Sequence, residues 1–524
     1  MHGAGMAAGI LISSLAHGAP TDKKPNVLLL FSDQHQAACL GAEGHPDVIT
    51  PNLDKLAAES VRFTRAYSND AICAPSRMSM MSGLYPRTLG CLDNGGGTPA
   101  VIEKVTPLAQ AFQSAGYLTA AFGKRHTTGG VDAGWDITRS HIDYESPGGG
   151  SYVKWINDQG FGREFAEDWA AEFGKGPDGS PFANTKIPTA KMGTRPSKLP
   201  EDKTMEAFTA EQTIQFIKQQ KGKDQPFFCW SSFYRPHQPY TPLPKYLAMY
   251  DTSKWGKGTR AKDGIRIPQS IAESVKNLPP ELAQRRLSKD GIWCLELAKK
   301  DEQLYRDYIG AYYALVTEVD HHVGQVMKTL EEEGLLENTI IIYTSDHGDF
   351  VGNHGLIEKS STGHNVYEDT LRVPLMVCWK GKTRSGLTTD DLAQLADLYP
   401  TLMELCGITP PKQPAAYGGT SLAPLLLTGQ PLGRDFIISE NWSQTTIIGK
   451  RFKYGRMNDT DKTIGKRNFT QFGNMMFDRK NDPLELINIA ASPEHAGELT
   501  KLEKQLSQWE TKFPVEVGKA KFQQ

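Results

Sequence analysis

The chain has 524 residues, of which 39% are hydrophobic and 23% are charged, and its formal net charge is −2. This length and balance are typical of a globular protein with one large α/β domain and a smaller second one. The near-zero charge gives no basic surface for a nucleic-acid partner, so any anion has to be recognised by a few local cations.

The N-terminal region carries a short apolar run over residues 7–15, and small residues follow it up to Ala19. This pattern is typical of a secretory signal peptide, although no Lys or Arg precedes Lys23. We therefore predict that residues 1–22 direct export to the periplasm or the medium. An ordinary N-terminal tail on a cytoplasmic protein is the alternative. No later run is apolar and long enough to predict a membrane span.

The first strong strand signal is the continuous apolar run over residues 26–32. Such a run is typical of a central parallel strand that is buried on both faces. It ends in Asp33 and Gln34, at the position where open α/β sheets collect ligands and catalytic groups. Asp33 is therefore either a helix cap or a site residue, and the residues alone leave this choice open.

Cys73 begins the segment Cys-Ala-Pro-Ser-Arg, and an apolar run follows it. Proline is favoured in the first turn of a helix, so Cys73 is predicted at or just before a helix N-terminus. The unpaired N–H groups and the dipole of such a terminus favour anions, and Arg77 adds a charge beside it. Taken alone, the segment fits a buried structural cysteine better than a nucleophile.

Lys124 and His126 follow a strand predicted over residues 118–122, and taken alone they fit a solvated turn. Residues 129–200 lack a clear period, which predicts an insertion at the rim of the domain, where loops often carry specificity. Trp135 and Trp155 lie within this insertion. Their rings suit stacking against a sugar.

The next strand is predicted over residues 226–233, and it leads to His237, which lies between two prolines. A histidine on such a stiff loop suits a positioned acid, although a core histidine is the plainer interpretation. After a long helix over residues 301–333, a third apolar strand over residues 339–345 ends in Asp346 and His347. The sequence therefore predicts that acids from distant strands meet at one sheet edge.

The C-terminal part of the chain differs from the rest in its pattern of hydrophobic and polar residues. Residues 390–406 predict a helix, and short alternating runs beyond residue 430 predict a small antiparallel sheet, with a final helix over residues 493–512. We therefore divide the chain into a catalytic domain over residues 23–430 and a C-terminal subdomain over residues 431–524.

Several of these segments, in order from residue 25 to about residue 490, resemble the type I sulfatases of the alkaline-phosphatase-like superfamily. The resemblance depends on Cys-x-Pro-Ser-Arg at 73–77, Gly-Lys-x-His at 123–126, Pro-His-x-Pro at 236–239 and Gly-x-His-Gly-x-x-x-Lys at 352–359. It implies an α/β fold with a mainly parallel central sheet flanked by helices. It also implies a smaller C-terminal α+β subdomain with an antiparallel sheet.

The resemblance also implies a set of site residues. One divalent cation, with calcium favoured and manganese not excluded, would be held by Asp33, Gln34, residue 73, Asp346 and His347. An installing enzyme would convert Cys73 to formylglycine, whose hydrate attacks sulfur. Sulfate would be held by Lys124 and Lys359, the hydrate by Arg77. His237 would contact the substrate and protonate the leaving alcohol, and His126 would act as the base that releases sulfate.

The predicted activity is hydrolysis of an organic sulfate ester, and the rim insertions favour a sulfated glycan over another small molecule. A choline-sulfatase-like enzyme and a phosphonate or phosphate ester hydrolase on the same scaffold are the rival enzymes. A binding protein that keeps Cys73 unmodified is the alternative of another class.

Overall fold

The computed structural model describes residues 23–140, 150–173, 194–270, 277–287, 302–359, 365–459 and 468–515. The predicted signal peptide, residues 1–22, lies outside the described residues. Among the helices described, none combines the length and the hydropathy that a membrane crossing requires.

Two kinds of element build the chain in alternation. The strands are β1 Asn26–Asp33, β2 Val61–Phe63, β3 Ala66–Tyr67, β4 Leu118–Gly123, β5 Ile137–Ser140, β6 Phe227–Pro236, β7 Thr339–Ser345, β8 Leu375–Trp379, β9 Thr388–Thr389, β10 Ala393–Gln394, β11 Phe436–Glu440, β12 Gln444–Gly449, β13 Phe452–Met457 and β14 Met475–Asp478. The helices are α1 Pro51–Glu59, α2 Cys73–Ser82, α3 Pro86–Leu89, α4 Pro99–Ile102, α5 Leu108–Ser114, α6 Ser151–Asp158, α7 Gly162–Phe173, α8 Met205–Gln219, α9 Pro244–Leu247, α10 Pro280–Leu287, α11 Glu302–Glu332, α12 Glu368–Leu371, α13 Leu398–Leu405, α14 Ala423–Thr428 and α15 Ala496–Lys512.

The central sheet has eight strands in the order β5-β4-β6-β1-β7-β8-β2-β9. Strands β5, β4, β6, β1 and β7 run parallel, whereas β8 is antiparallel to both β7 and β2. The predicted mainly parallel sheet is confirmed. Strands β6, β1 and β7 are neighbours, so their carboxyl ends place the segments after Asp33, Pro236 and Ser345 side by side.

Strand β1 shows why the sheet lies at the centre of the molecule. Every residue of Asn26–Asp33 is buried. Val27, Leu29 and Phe31 belong to the hydrophobic core on one face of the sheet, which includes residues of α2 and α13. Leu28 and Leu30 belong to the core on the other face, which includes residues of α1 and α11. Burial on both faces explains the absence of polar alternation in this strand.

The C-terminal region forms a four-stranded antiparallel sheet in the order β11-β12-β13-β14, as predicted. Helix α15 packs against it through Leu502, Leu506 and Trp509. Two buried ion pairs connect this sheet to the large domain: Lys453 with Glu368 at 3.0 Å, and Arg87 with Glu440 at 2.7 Å. The boundary at residue 430 stays a prediction.

Three sequence interpretations were wrong in detail. The helix predicted over residues 390–406 begins only at Leu398, because Ala393 pairs with Ala66 in a short parallel bridge. The insertion after residue 129 contains two helices, α6 and α7. Trp135 is not a free sugar platform, because its ring stacks on Phe228 at 5.5 Å between centroids. Trp155 also packs against Phe208, at 5.2 Å between ring centroids, but part of its surface is exposed, and its stacking on a sugar stays a prediction.

Candidate active site

Cys73 is the first residue of α2, after an extended N-cap residue, as the proline two positions later predicts. Its exposed fraction is 2%. The helix start is fixed to the central sheet because Ser76 Oγ donates to the carbonyl of Asp346 at 2.6 Å. The N-terminal turn of α2 therefore lies against the carboxyl end of β7.

Arg77 joins the two carboxylates that end β1 and follow β7. Its Nε donates to Asp346 Oδ2 at 2.8 Å, and its Nη2 lies 3.3 Å from Asp33 Oδ2, with all three side chains fully buried. Nη1 donates to the carbonyl of Lys124 at 2.6 Å and to Ser232 Oγ at 3.1 Å. Arg77 thus fixes the orientation of the two carboxylates, and its predicted contact with a modified residue 73 stays a prediction.

Four side chains at this sheet edge form a group with the spacing of a metal site. One ligand atom from each of Asp33, Cys73, Asp346 and His347 lies within 4.8 Å of all the others. Nδ1 of His347 bonds the carbonyl of Gly348 at 2.9 Å, so this nitrogen carries the proton and Nε2 has a lone pair for the cluster. Nε2 lies 3.2 Å from Cys73 Sγ. The donor set fits a divalent cation.

The electrostatics of the cluster favour a positive charge on the carboxylate side. Burial would raise the pKa of Asp33, but the positive charges of Lys124 and Arg77 hold it well below its usual range. Burial would lower the pKa of His347, but the nearby charges of Asp346 and Cys73 raise it above its usual value. The Asp33 carboxylate is thus kept ionised, as a cation ligand must be, whereas a cation has to displace any proton from Nε2 of His347 before it binds there.

Two lysines favour a negative charge at Cys73. Burial would raise the pKa of the Cys73 thiol, but Lys124 and Lys359 outweigh it and hold this pKa well below its usual value. Lys124 Nζ forms an ion pair with Asp33 Oδ2, and it lies 4.9 Å from the ring centroid of Tyr234. Lys359 Nζ donates to Gln34 Oε1 at 2.5 Å. The charges of both lysines therefore favour an anion at residue 73.

Two histidines complete the surroundings of Cys73. The side chains of His126 and His237 both lie near enough to Cys73 for this residue to affect their pKa values. Nδ1 of His237 bonds the carbonyl of Gln238 at 2.8 Å, so Nε2 is the nitrogen that remains to exchange a proton. Burial, with Lys359 and Lys124 nearby, lowers the pKa of His237 to about 3. An anion bound beside the two lysines raises this pKa, because it offsets their charge.

Every predicted site residue is therefore found within one buried region, Gln34 included. Gln34 has a left-handed backbone, with φ +65°, and its N–H donates to Asp346 Oδ1 at 2.9 Å. Its role as a cation ligand stays a prediction. Gly348 is required nearby, since a Cβ on it would lie 1.9 Å from the carbonyl oxygen of Asp369.

Sequence reasoning missed two buried residues that hold this region together. Asp349 accepts a hydrogen bond from Gln34 Nε2 at 2.6 Å. Arg235 donates to the carbonyl of His237 at 3.1 Å and so supports the loop that carries that histidine. The signal for Asp349 was its place three residues after Asp346. Arg235 had no signal beyond its position beside Pro236.

Two relatives of known name match nearly the whole chain. An arylsulfatase of Clostridium perfringens (strain 13 / Type A) is 28% identical over 499 residues, covering 92% of this chain and 93% of the relative. An N-acetylglucosamine-6-O-sulfatase of Bacteroides thetaiotaomicron is 24% identical over 550 residues, covering 94% and 87%. The crystal structure of a phosphonate monoester hydrolase of Agrobacterium radiobacter shares the fold, with a TM-score of 0.72, 22% identity and coverage of 93% and 96%.

Two family models also match. A model described as N-sulphoglucosamine sulphohydrolase, C-terminal, matches residues 352–512. The model described as Sulfatase matches residues 25–408, which include every predicted site residue and most of the chain. The chain therefore belongs to the sulfatase family and is a sulfuric ester hydrolase with an alkaline-phosphatase-like fold.

Proposed function

We propose that this sulfatase removes sulfate from a sulfated carbohydrate, with residue 73 as the hydrate of formylglycine and calcium as the favoured cation. One observation carries the proposal: Cys73 lies between a cation-favouring group, Asp33, Asp346 and His347, and the two lysines Lys124 and Lys359. In such an arrangement, an anionic ester that is bound by the lysines would present its sulfur to residue 73. The carbohydrate is proposed because a relative over most of the chain is an N-acetylglucosamine-6-O-sulfatase.

The cation would be held by Asp33, Asp346, His347, residue 73 and, by its amide oxygen, Gln34. The fit depends on the donor set, since two buried carboxylates that both pair with Arg77 supply the oxygen that calcium prefers. A bound cation lowers the pKa of an oxygen nucleophile and offsets charge on the sulfate. His347 is the softer ligand of the set, so manganese is the second candidate.

The chain's own side chains then supply the remaining chemistry. Lys124 and Lys359 neutralise charge on the sulfate oxygens as it builds up in the transition state. His237 protonates the departing alcohol through Nε2, because Nδ1 is already bonded to the Gln238 carbonyl. His126, which lies near residue 73, accepts a proton from the second hydroxyl of the hydrate, and sulfate is then released.

The role of His237 predicts a dependence on the leaving group. His237→Ala should lower kcat for a sugar sulfate by about 10²–10⁴-fold, because an alkoxide leaves poorly without a proton. Its effect on 4-nitrophenyl sulfate should be much smaller, since that phenolate needs no proton. Steady-state kinetics with both substrates measures the ratio. His126→Ala is the matched control, because it acts after the alcohol has left and should slow both substrates alike. An equal loss for both substrates in His237→Ala contradicts the assignment.

The proposed function is tested in two measurements on protein from its native host. Mass spectrometry of the peptide that contains Cys73 should find the aldehyde, and the same protein should release sulfate from members of a panel of sulfated mono- and oligosaccharides. Cys73→Ala serves as the blank. An intact thiol together with no release would support the binding protein instead.

A phosphonate ester hydrolase is the second candidate, because the structure of such an enzyme shares the fold over 93% of this chain. Comparing kcat/KM for an aryl sulfate and an aryl phosphonate with the same leaving group separates the two. A higher value for the phosphonate would overturn the sulfate proposal. Including choline sulfate among the substrates tests the remaining alternative, a choline-sulfatase-like enzyme.

We also propose export, on the apolar run before Ala19, and an installing enzyme that acts on Cys73 during synthesis. N-terminal sequencing of the mature protein tests the proposed export. A mature chain that keeps residues 1–22 would contradict it.

A further inference from the structure

Asp349 lies behind the candidate active site, and its two oxygens have different partners. It is fully buried. Oδ1 accepts from Tyr308 OH at 2.5 Å and from the Val351 N–H at 2.8 Å. Oδ2 accepts from Gln34 Nε2 at 2.6 Å and from Tyr240 OH at 3.2 Å. One half of the carboxylate thus supports its own loop, and the other half holds the Gln34 amide.

The orientation of the Gln34 amide follows from what its partners can do. A carboxylate accepts hydrogen bonds and an ammonium donates them, so Asp349 must face the NH2 group and Lys359 must face the oxygen. The observed contacts agree, with Nε2 to Asp349 at 2.6 Å and Lys359 Nζ to Oε1 at 2.5 Å. A reversed amide would place its NH2 against the Lys359 ammonium.

The backbone of Gln34 leaves this amide little other freedom. Its N–H donates to Asp346 Oδ1 at 2.9 Å, and its carbonyl accepts from Tyr312 OH at 2.6 Å. Its left-handed φ of +65° is rare for a residue with a side chain, and it persists where the surroundings fix it from several sides. The flip of the amide is then the remaining choice, and its NH2 donates to Asp349 Oδ2 at 2.6 Å and to Tyr240 OH at the longer distance of 3.2 Å.

We propose that Asp349 is a positioning residue that holds the oxygen of the Gln34 amide toward Lys359 and the cation ligands, and thereby sets the affinity of the site for its cation. The proposal rests on the cation site of the proposed function. It gives Asp349 no contact with substrate. Through the Gln34 amide, Asp349 is connected to Lys359, the lysine that would hold sulfate.

The test measures calcium binding to the Asp349→Asn variant, after removal of bound metal, by isothermal titration calorimetry. Asparagine keeps an oxygen for Tyr308 and the Val351 N–H but presents an NH2 to the NH2 of Gln34. The dissociation constant for calcium should rise by about 10–100-fold, the usual effect of removing a group that orients a metal ligand. Tyr308→Phe is the matched control, since it removes a bond on Oδ1 and leaves Gln34 untouched.

A charge-conserving double variant makes the test specific. In Gln34→Glu combined with Asp349→Asn, the new carboxylate accepts from the new amide and still accepts from Lys359, and the pair keeps one negative charge. Its calcium affinity should return to within about threefold of that of the native chain. If Asp349→Asn alone does not fold, recovery of folding in the double variant supports the proposal, and failure to recover overturns it.

Wild-type calcium affinity in Asp349→Asn, or a double variant no better than the single one, would also overturn the proposal. Binding is measured on protein with an unmodified thiol at residue 73, so it does not depend on turnover. Absence of sulfate release by the native protein would contradict the proposed function and leave this result standing.

Discussion

Cys73→Ser should fold normally and lose multiple turnover, with kcat lower by about 10³-fold or more, on the scale seen when hydrolases lose their nucleophile chemistry. A serine hydroxyl can attack sulfur and expel the alcohol, which leaves a sulfate ester on residue 73. The proposed hydrate has a second hydroxyl whose deprotonation expels sulfate, and serine has none. The variant should therefore accumulate covalent sulfate.

Intact-mass spectrometry after incubation with substrate checks this, together with the amount of alcohol released. One equivalent of alcohol per chain and a matching sulfate adduct are expected. Cys73→Ala is the control, because it has no nucleophile and should give neither. Sustained turnover by the serine variant would refute the need for a second hydroxyl.

Arg77→Met should destabilise the metal-free protein by about 3–5 kcal/mol, because it removes the charge that two buried carboxylates share. Asp33 and Asp346 both lie within 3.3 Å of the guanidinium and have no exposed surface. Activity should be lost with it. Urea denaturation with and without calcium measures the free energy of unfolding.

Calcium should stabilise Arg77→Met more than it stabilises the native chain, because the cation replaces a positive charge between the same carboxylates. Arg87→Met is the matched control: Arg87 is also a buried arginine, paired with Glu440 at 2.7 Å, but it lies at the C-terminal subdomain. Arg87→Met should lower the free energy of unfolding, but calcium should stabilise this variant no more than it stabilises the native chain. Equal calcium responses in the two variants would contradict this account of Arg77.

The strands of the central sheet were predictable because a strand that is buried on both faces appears in the sequence as a continuous apolar run. Residues 26–32, 226–233 and 339–345 are continuous apolar runs, and all three became neighbouring parallel strands. From that arrangement alone, Asp33 and Asp346 are expected at one edge. The helix start at Cys73 was predictable from Pro75 by local sterics. The assignment of Lys124 and Lys359 depended on the family resemblance.

What the sequence did not predict depends on contacts between distant segments. Residues 390–397 have helical periodicity, but Ala393 pairs with Ala66 and the helix begins later. Trp135 reads as a rim residue, but it stacks on Phe228 of a strand far away in sequence. Asp349 likewise bonds Gln34, which lies 315 residues earlier in the chain.

The burial of Cys73 has a consequence for the order of events in synthesis. With 2% of its surface exposed, residue 73 is out of reach of any enzyme once the chain has folded. Strands β6 and β7, which enclose it, are translated only after residues 226 and 338. The proposed conversion of Cys73 to the aldehyde would therefore have to take place before folding is complete, while the chain is being synthesised and before these strands pack around residue 73. Faster folding of the nascent chain would then yield more inactive thiol protein.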